Sequence, residues 1–366
     1  VESLSVPLSD HSYKVHLARF DAHEMAALLA QTLGKPSGVA VLVDEHVAQV
    51  SPRVKPLIDA LSEKFLQVNS YVLPAGESAK NLACVERTCE WLVSNGYDRG
   101  AAIVGIGGGA TTDHAGFVAA IYLRGVRFAL CPTTLLAMVD ASVGGKTGVD
   151  LRAGKNLVGA FYQPAVVLAD LGFLDTLPRR EAAAGMAEVV KAGLIGDALL
   201  FDRLDRSGDF WGEPEFLPDA IKSAVMVKIS VVSEDERESG RRAILNFGHT
   251  IGHAVESESG YELLHGEAVS LGMVAALSLG EQRGITQIGL RSRTQGLLAR
   301  LGLPVDVEKY LSINAMRRIQ ADKKRHANQV RFVYVPYPGN AILEDINIDV
   351  LRCGLAESLS PKDLHE

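Results

Sequence analysis

Between Gly38 and Asp170 the chain alternates short β-branched runs with helical stretches, and this alternation restricts its first half to a sheet fed by crossover helices. GVAVLVD precedes a helical pattern near Val54 to Lys64, and VNSYVLP precedes another near Leu82 to Ser94. AAIVGI then runs into a glycine turn and the helical GGGATTDHAGFVAAIYL, while VRFAL and AVVLAD supply further strands. Strands joined through helices return in the same direction, so a mostly parallel, Rossmann-like sheet is expected. After Leu177 and Pro178 long patterns rich in Ala, Glu, Lys and Leu replace the β-branched runs almost to Gln329, and VRFVYVP reads as an isolated strand beyond them. The expected class is α/β, with a parallel-sheet domain over residues 1–178 and a mainly α-helical domain over residues 179–366.

A formal charge of −7 provides no global basic field, and aromatic residues make up only 6% of the chain. Both weigh against nucleic acid and against anionic membranes as partners. The richest apolar stretch, Phe117 to Leu123, is stopped by Arg124 and Gly125, well short of a membrane span. VESLSVPLSDHSYKVHL lacks the basic head and apolar core of a secretory signal. Cys84, Cys89, Cys131 and Cys353 show no CxxC spacing, as expected of a reducing compartment, so a cytoplasmic location is expected.

In GIGGGATTD, residues Gly105, Gly107 and Ala110 satisfy GxGxxA between a strand and a helix, where backbone amides can approach a pyrophosphate. A turn that merely joins strand to helix has the same spacing. The acid that usually holds the ribose at the end of the next strand is absent, since that strand ends in Cys131, Pro132 and Thr133. Asp44, and Glu77 with Lys80 in PAGESAK, are the candidates for that role.

Three histidines crowd FGHTIGHAVESESGYELLHGEAV. His249 and His253 are four apart and share a helical face, and His265 opens the next helical run, Gly266 to Leu279. Two imidazoles from adjacent helix ends can meet at one divalent ion if a third ligand comes from elsewhere, and Glu188, a carboxylate in the apolar helical pattern AAGMAEVVKAGLIGD, is the obvious source. A Glu/His/His set with open positions is the pattern of catalytic zinc. His11, His16, His23, His326 and His365 read as ordinary surface or core histidines. Asp140, Lys146, Lys155 and Asn156 punctuate a glycine-rich apolar stretch, and Lys191, Lys228, Arg242 and Asn246 follow. So many cationic donors fit a substrate with a phosphate and a second anionic group.

The blocks GGGATTDHAGFVAAIYLRGV, PTTLLAMVDASVGGKTGVDLRAGKNLVGAFYQP, AGMAEVVKAGLI, RAILNFGHTIGHAVE and HGEAV resemble the 3-dehydroquinate synthase family of sugar-phosphate cyclases, from about Asp44 to Val335. The resemblance implies a divalent metal, zinc or else cobalt, on Glu188, His249 and His265. It implies NAD along Asp44, Glu77, Lys80, Gly108, Gly109, Asp113, Thr133, Thr134 and Lys155. It also implies a phosphorylated sugar acid met by Asp140, Lys146, Asn156, Lys191, Lys228, Arg242, Asn246 and His253, with Lys323 or Lys324 closing over the phosphate. Arg124 would reach the phosphate of a neighbouring subunit, which makes a homodimer the expected assembly. The implied reaction turns 3-deoxy-D-arabino-heptulosonate 7-phosphate into 3-dehydroquinate with no net redox change.

Departures from the family pattern fall at His114, where an apolar residue is more usual, at Asp150 and Ala192, and in the loop after VRFVYVP. Nothing in the residues around His114 assigns it a function. Competing readings are a cyclase for sedoheptulose 7-phosphate or for an amino analogue, and a metal-dependent polyol dehydrogenase. The Lys228, Arg242 and Asn246 set argues for a carboxylate on the substrate, and the phosphate-binding lysines argue against the dehydrogenase.

Overall fold

The β-branched runs of the first half form one seven-stranded sheet in the order β1-β2-β9-β6-β5-β3-β4. Its strands are β1 (Glu2–Val6), β2 (Tyr13–Ala18), β3 (Val39–Asp44), β4 (Val68–Leu73), β5 (Ala102–Gly107), β6 (Arg127–Pro132) and β9 (Val166–Asp170). A computed structural model describes residues 1–9, 11–207, 210, 216–260, 262–312, 315 and 328–359. The chain divides into two units, Val1–Pro178 and Arg179–Glu366.

All pairings in the large sheet are parallel except β1 with β2. Strands β3, β5 and β9 are buried at every position, as parallel strands covered on both faces must be. Helices α1 (Ala22–Leu33), α2 (Glu45–Val50), α3 (Val54–Lys64), α4 (Leu82–Ser94) and α5 (Gly109–Ile121) make the connections. Their N-termini are set by local side chains: Asp21 forms a capping box with Glu24, Asp44 caps α2 and Asn81 caps α4. The glycines of the β5–α5 turn have a packing reason. A Cβ on Gly105 would lie 2.8 Å from the Ala115 methyl, and one on Gly107 would lie 2.5 Å from Thr111 Oγ1. Only strand positions without a side chain, here Gly105 and Gly107, let the helix lie so close.

Two features of this unit were not expected from the sequence. The N-terminal residues add the strand pair β1–β2, where β1 is an exposed edge whose partners are supplied by residues a dozen positions away. The stretch between β6 and β9 forms an antiparallel hairpin, β7 (Lys146–Leu151) with β8 (Gly154–Phe161). Its glycines hide the strand pattern, yet they are what lets the hairpin close: a Cβ on Gly148 would lie 2.7 Å from the Val158 carbonyl oxygen, and one on Gly159 would collide with the Thr147 carbonyl.

The second unit is helical, with α6 (Arg179–Gly196), α7 (Ala198–Arg206), α8 (Phe216–Glu234), α9 (His249–Glu258), α10 (His265–Gln282), α11 (Leu290–Arg300), α12 (Val307–Tyr310) and α13 (Ile348–Leu359). Helix α10 is buried from Gly266 to Gly280. It approaches its neighbours at glycines, because a Cβ on Gly266 would collide with the Ala184 carbonyl of α6 and one on Gly272 with the Gly248 carbonyl at the head of α9. Arg180 of α6 grips Glu267 of α10 through Nε and Nη2, at 2.6 and 2.7 Å, so the starts of the two helices are tied.

The run VRFVYVP is not an isolated strand. It forms β10 (Gln329–Tyr337), paired antiparallel with β11 (Asn340–Asn347) through a turn at Gly339. Glu344, Asp345 and the asparagines of β11 mask its pattern in the sequence, since that strand has only one fully buried position. The Gly339 amide donates to the Gly193 and Leu194 carbonyls at 3.1 and 2.9 Å, so the hairpin turn caps the last turn of α6.

The glycine contacts predict opposite effects for two like substitutions. Gly272→Ala should destabilise the protein by about 1–3 kcal/mol through overpacking, whereas Gly296→Ala on α11, where the new methyl meets nothing nearer than 3.7 Å, should stabilise it by about 0.5–1 kcal/mol. Urea unfolding of the two variants checks this, and equal effects would refute the packing account.

Candidate active site

Glu188 sits in the middle of α6, while His249 and His265 are the first residues of α9 and α10. The close contact of α9 with α10 at Gly272 therefore brings two helix beginnings together over one carboxylate. Glu188 Oε1 lies 3.7 Å from His249 Nε2 and 3.5 Å from His265 Nε2. One donor atom from each of the three lies within 4.8 Å of the others. Metal–donor bonds of about 2.0–2.2 Å would place tetrahedral donors about 3.3–3.6 Å apart, so the spacing and the donor chemistry both fit a divalent cation.

Each donor is held by a further group. The His249 Nδ1 lies 3.1 Å from the Phe247 carbonyl, which turns Nε2 toward Glu188. On the far side of His265, Nδ1 lies 3.8 Å from Oε2 of Glu256, a carboxylate only 4% exposed. Lys191, one turn beyond Glu188 on α6, forms an ion pair with it, and both are buried. Burial, reinforced by Lys191, pushes the His249 imidazole well below its ordinary value and keeps it neutral, the form that ligates. Burial pulls His265 the same way, but Glu188 and Glu256 together outweigh it and raise that group to about 9. His253 is exposed beside the trio, its ring centroid 5.3 Å from His249 and 5.8 Å from His265. With Glu256 and His265 it forms a second set of converging donors.

The cations of this unit are buried to an unusual degree. Lys191, Lys228 and Arg242 are 3%, 9% and 1% exposed, and such groups are rarely found inside a protein without anionic company. Arg242 is placed by the loop between α8 and the turn Arg241–Asn246. Asp235 accepts the amides of Ser239, Gly240 and Arg242 at 2.8–3.0 Å, and the Arg242 guanidinium donates to the Glu236 carbonyl. Asn246 Nδ2 donates to Glu238 at 3.0 Å, and Glu238 itself has the left-handed φ of 57°. Lys323 and Lys324 lie outside the described residues.

In the first unit, Gly108 is the N-cap of α5 and Gly109 its first residue. A Cβ on Gly108 would press on Thr134 Cγ2 at 3.1 Å, and the Thr133 amide donates to Gly107 at 2.9 Å, so Thr133 and Thr134 border the turn. Asp44 ends β3 with its carboxylate already engaged by the amides of Val47 and Gly76, at 3.1 and 3.0 Å. It thereby docks the segment bearing the exposed Glu77. Lys80 Nζ is buried 2.7 Å from both Asp113 Oδ2 and Asn156 Oδ1. Burial raises Asp113 to about 6 despite the opposing Lys80 charge. Asn156, on the β7–β8 hairpin, thus belongs beside Lys80, and Lys155 precedes it on β8; Asn156 has φ 55°, and its backbone amide donates to Asp150 at 2.6 Å. Asp140 lies in the π-helical turn Ala137–Ala141, and Lys146 opens β7, exposed. Arg124 is exposed and follows Leu123 in the left-handed region, with φ of 68° and 49° respectively. Two consecutive residues there are costly for side-chain-bearing positions.

Comparison with known proteins bears on this geometry. Residues 70–184 match the family model described as 3-dehydroquinate synthase N-terminal, and residues 185–325 match 3-dehydroquinate synthase C-terminal. A 3-dehydroquinate synthase from Rhodospirillum rubrum is 44% identical over 350 residues, covering 93% of this chain and 90% of the relative. The chain belongs to the 3-dehydroquinate synthase family. Its fold is similar to that of 2-deoxy-scyllo-inosose synthase complexed with carbaglucose-6-phosphate, NAD+ and Co2+, with TM-score 0.85, 25% identity, and 97% and 99% of the two chains covered. It is likewise similar to a 2-epi-5-epi-valiolone synthase from Streptomyces hygroscopicus with NAD+ and Zn2+ bound, with TM-score 0.84, 28% identity, and 96% and 98% covered. Among the described residues no helix is long and apolar enough to cross a membrane.

Three residues around this family member's site escaped the sequence reading. Asp235 and Glu238 act on Arg242 and Asn246, while Glu256 stands behind His265 and also joins it and His253 in the second donor set. Glu256 carried a usable signal, being one turn after His253 and set between apolar and small residues. Asp235 and Glu238 sit in an acidic loop whose turns only the fold reveals.

Removal of one donor tests the trio. His265→Ala should lose bound divalent metal while the far-ultraviolet circular dichroism spectrum persists; metal content equal to that of the wild type would refute the assignment. The loop makes a separate prediction. The amides of Arg242, Ser239 and Gly240 hold Asp235 below the usual carboxylate range, so its stabilising contribution is complete above about pH 4 and is lost as pH falls toward its depressed folded value. Asp235→Asn should therefore flatten the acid limb of stability against pH, measured by urea unfolding; an unaltered limb would contradict it.

Proposed function

We propose that this chain converts 3-deoxy-D-arabino-heptulosonate 7-phosphate into 3-dehydroquinate and phosphate, using NAD and a divalent metal, with zinc the first choice and cobalt the alternative. The observation that carries the reading is the meeting of Glu188, His249 and His265 within 4.8 Å, in a chain 44% identical to a named 3-dehydroquinate synthase. When bound, NAD takes a hydride from the substrate carbinol and returns it, and the divalent ion polarises the oxygen on that carbon.

The residues divide the remaining work. Glu188, His249 and His265 hold the ion. Lys191, ion-paired with Glu188, meets the substrate's oxygens beside the ion. Lys228 and Arg242, both buried, hold the substrate's carboxylate through charge-assisted hydrogen bonds. Asn246 and the exposed His253 orient the substrate and move protons near the ion, while the departing phosphate serves as its own base for much of the proton transfer. Asp140, Lys146 and Asn156 position the sugar, and Lys323 or Lys324 closes over the phosphate. In the first unit, Gly108 and Gly109 present helix-start amides to the pyrophosphate, and Asp44, Glu77, Lys80, Asp113, Thr133, Thr134 and Lys155 line the dinucleotide. Residues 1–178 then act as the NAD-binding domain and residues 179–366 as the metal- and substrate-binding domain.

The assembly proposed is a homodimer in which the exposed Arg124 reaches the phosphate of the partner subunit; its strained backbone supports a functional constraint there. A cytoplasmic location agrees with a small-molecule biosynthetic role. The other cyclases of similar fold stand at 25% and 28% identity, and the buried carboxylate clamp favours the heptulosonate over a heptulose lacking that group.

The test is to incubate metal-loaded protein and NAD with the heptulosonate phosphate. Stoichiometric phosphate release with no accumulation of NADH is the expected result. Steady NADH formation from an unphosphorylated polyol would overturn the reading in favour of a dehydrogenase.

A further inference from the structure

His114 lies on α5 with no exposed surface, and the reaction makes no use of it. Its Nδ1 is 2.9 Å from the Ala79 carbonyl oxygen, and its Nε2 is 3.0 Å from Thr88 Oγ1 of α4. A carbonyl can only accept, so Nδ1 carries the proton. Burial holds the imidazole neutral, lowering it to about 4, so Nε2 is the bare nitrogen and receives the Thr88 hydroxyl. The single proton of that hydroxyl is shared with the Cys84 carbonyl, 2.9 Å away, so the bond at Nδ1 is what fixes the tautomer. The ring is thus confined to one tautomer and one orientation.

The partner at Nδ1 matters most. Ala79 ends the short turn Gly76–Ala79 that contains Glu77, and Lys80 follows it. Asp113, the residue before His114, takes Lys80 Nζ at 2.7 Å. Two successive residues of α5 therefore grasp two successive residues of this segment, one through charge and one through a backbone hydrogen bond. Asp44 fixes the other end of the turn at the Gly76 amide. We propose that His114 is a positioning residue for the dinucleotide site: by donating Nδ1–H to Ala79 it sets the segment carrying Glu77 and Lys80 against the helix that begins at Gly108 and Gly109. This rests on the NAD reading given above. The Ala79 carbonyl also accepts the Asn81 amide at 3.0 Å, so a side chain at 114 that cannot donate removes one of its two hydrogen bonds, the one that ties the turn to α5.

The experiment separates the two ring nitrogens. In His114→Asn the amide nitrogen can occupy the place of Nδ1, whereas in His114→Gln the amide reaches the place of Nε2 and abandons Ala79. Calorimetric titration of the metal-loaded protein with NAD should show the Gln variant weakened about tenfold and the Asn variant within about twofold of wild type. Bound metal and kcat at saturating NAD should be unchanged in both. Hydrogen exchange without NAD provides a second readout: amides of residues 76–80 should exchange faster in the Gln variant than in the Asn variant. Equal NAD affinities and equal exchange for Asn and Gln would overturn the proposal while leaving the dinucleotide site intact. Wild-type protein that binds no NAD would overturn the dinucleotide reading and this proposal with it.

Discussion

The meeting of Glu188, His249 and His265 depends on two helices touching without side chains between them. Gly272 lies against the Gly248 carbonyl, and this contact sets how far the first residue of α9 stands from the first residue of α10. His249 and His265 occupy those two first positions, so a packing constraint in the helical core becomes a distance between imidazoles. The third helix is registered to the same pair by Gly266 against Ala184 and by the Arg180–Glu267 grip, both in the turns of α6 that lead up to Glu188.

Electrostatics then differentiates chemically similar groups. Glu188 faces Lys191 and two imidazoles, and the two histidines diverge because only His265 has a second carboxylate behind it. Removing water makes each neighbour count more than it would at the surface. The same logic operates in the first unit, where buried Lys80 joins half-buried Asp113 and exposed Asn156 in a polar knot on the edge of an otherwise apolar helix. Both knots place a lysine where it holds an acid in a defined orientation.

Much of this was legible from local patterns. The helices over Val54–Lys64 and Leu82–Ser94 coincide with their periodic segments, because each has an apolar face and a clear end. The spacing of His249 and His253, the placement of His265 at the head of a helix and the carboxylate of Glu188 in an apolar pattern suggest a metal site, and the family resemblance supplies the choice of ligands. What stayed hidden depends on partners remote in sequence or on glycine. β1 pairs at an exposed edge, β7 and β8 are rich in glycine because their backbones nearly touch, and β11 shows little apolar surface. Lys80 and Asn156 are 76 positions apart, and no local pattern foretells that one would bond the other.

The left-handed run at Leu123 and Arg124, followed by Gly125 at φ 119°, bears on how tightly an anion can be held there. A guanidinium on an ordinary surface loop forfeits backbone freedom whenever it engages a ligand, and that forfeit is subtracted from affinity. Here the main chain has already given up its alternatives during folding. If Arg124 meets an anion as proposed, that anion need arrest only the rotors of one side chain, which would favour rapid, reversible capture over slow rearrangement.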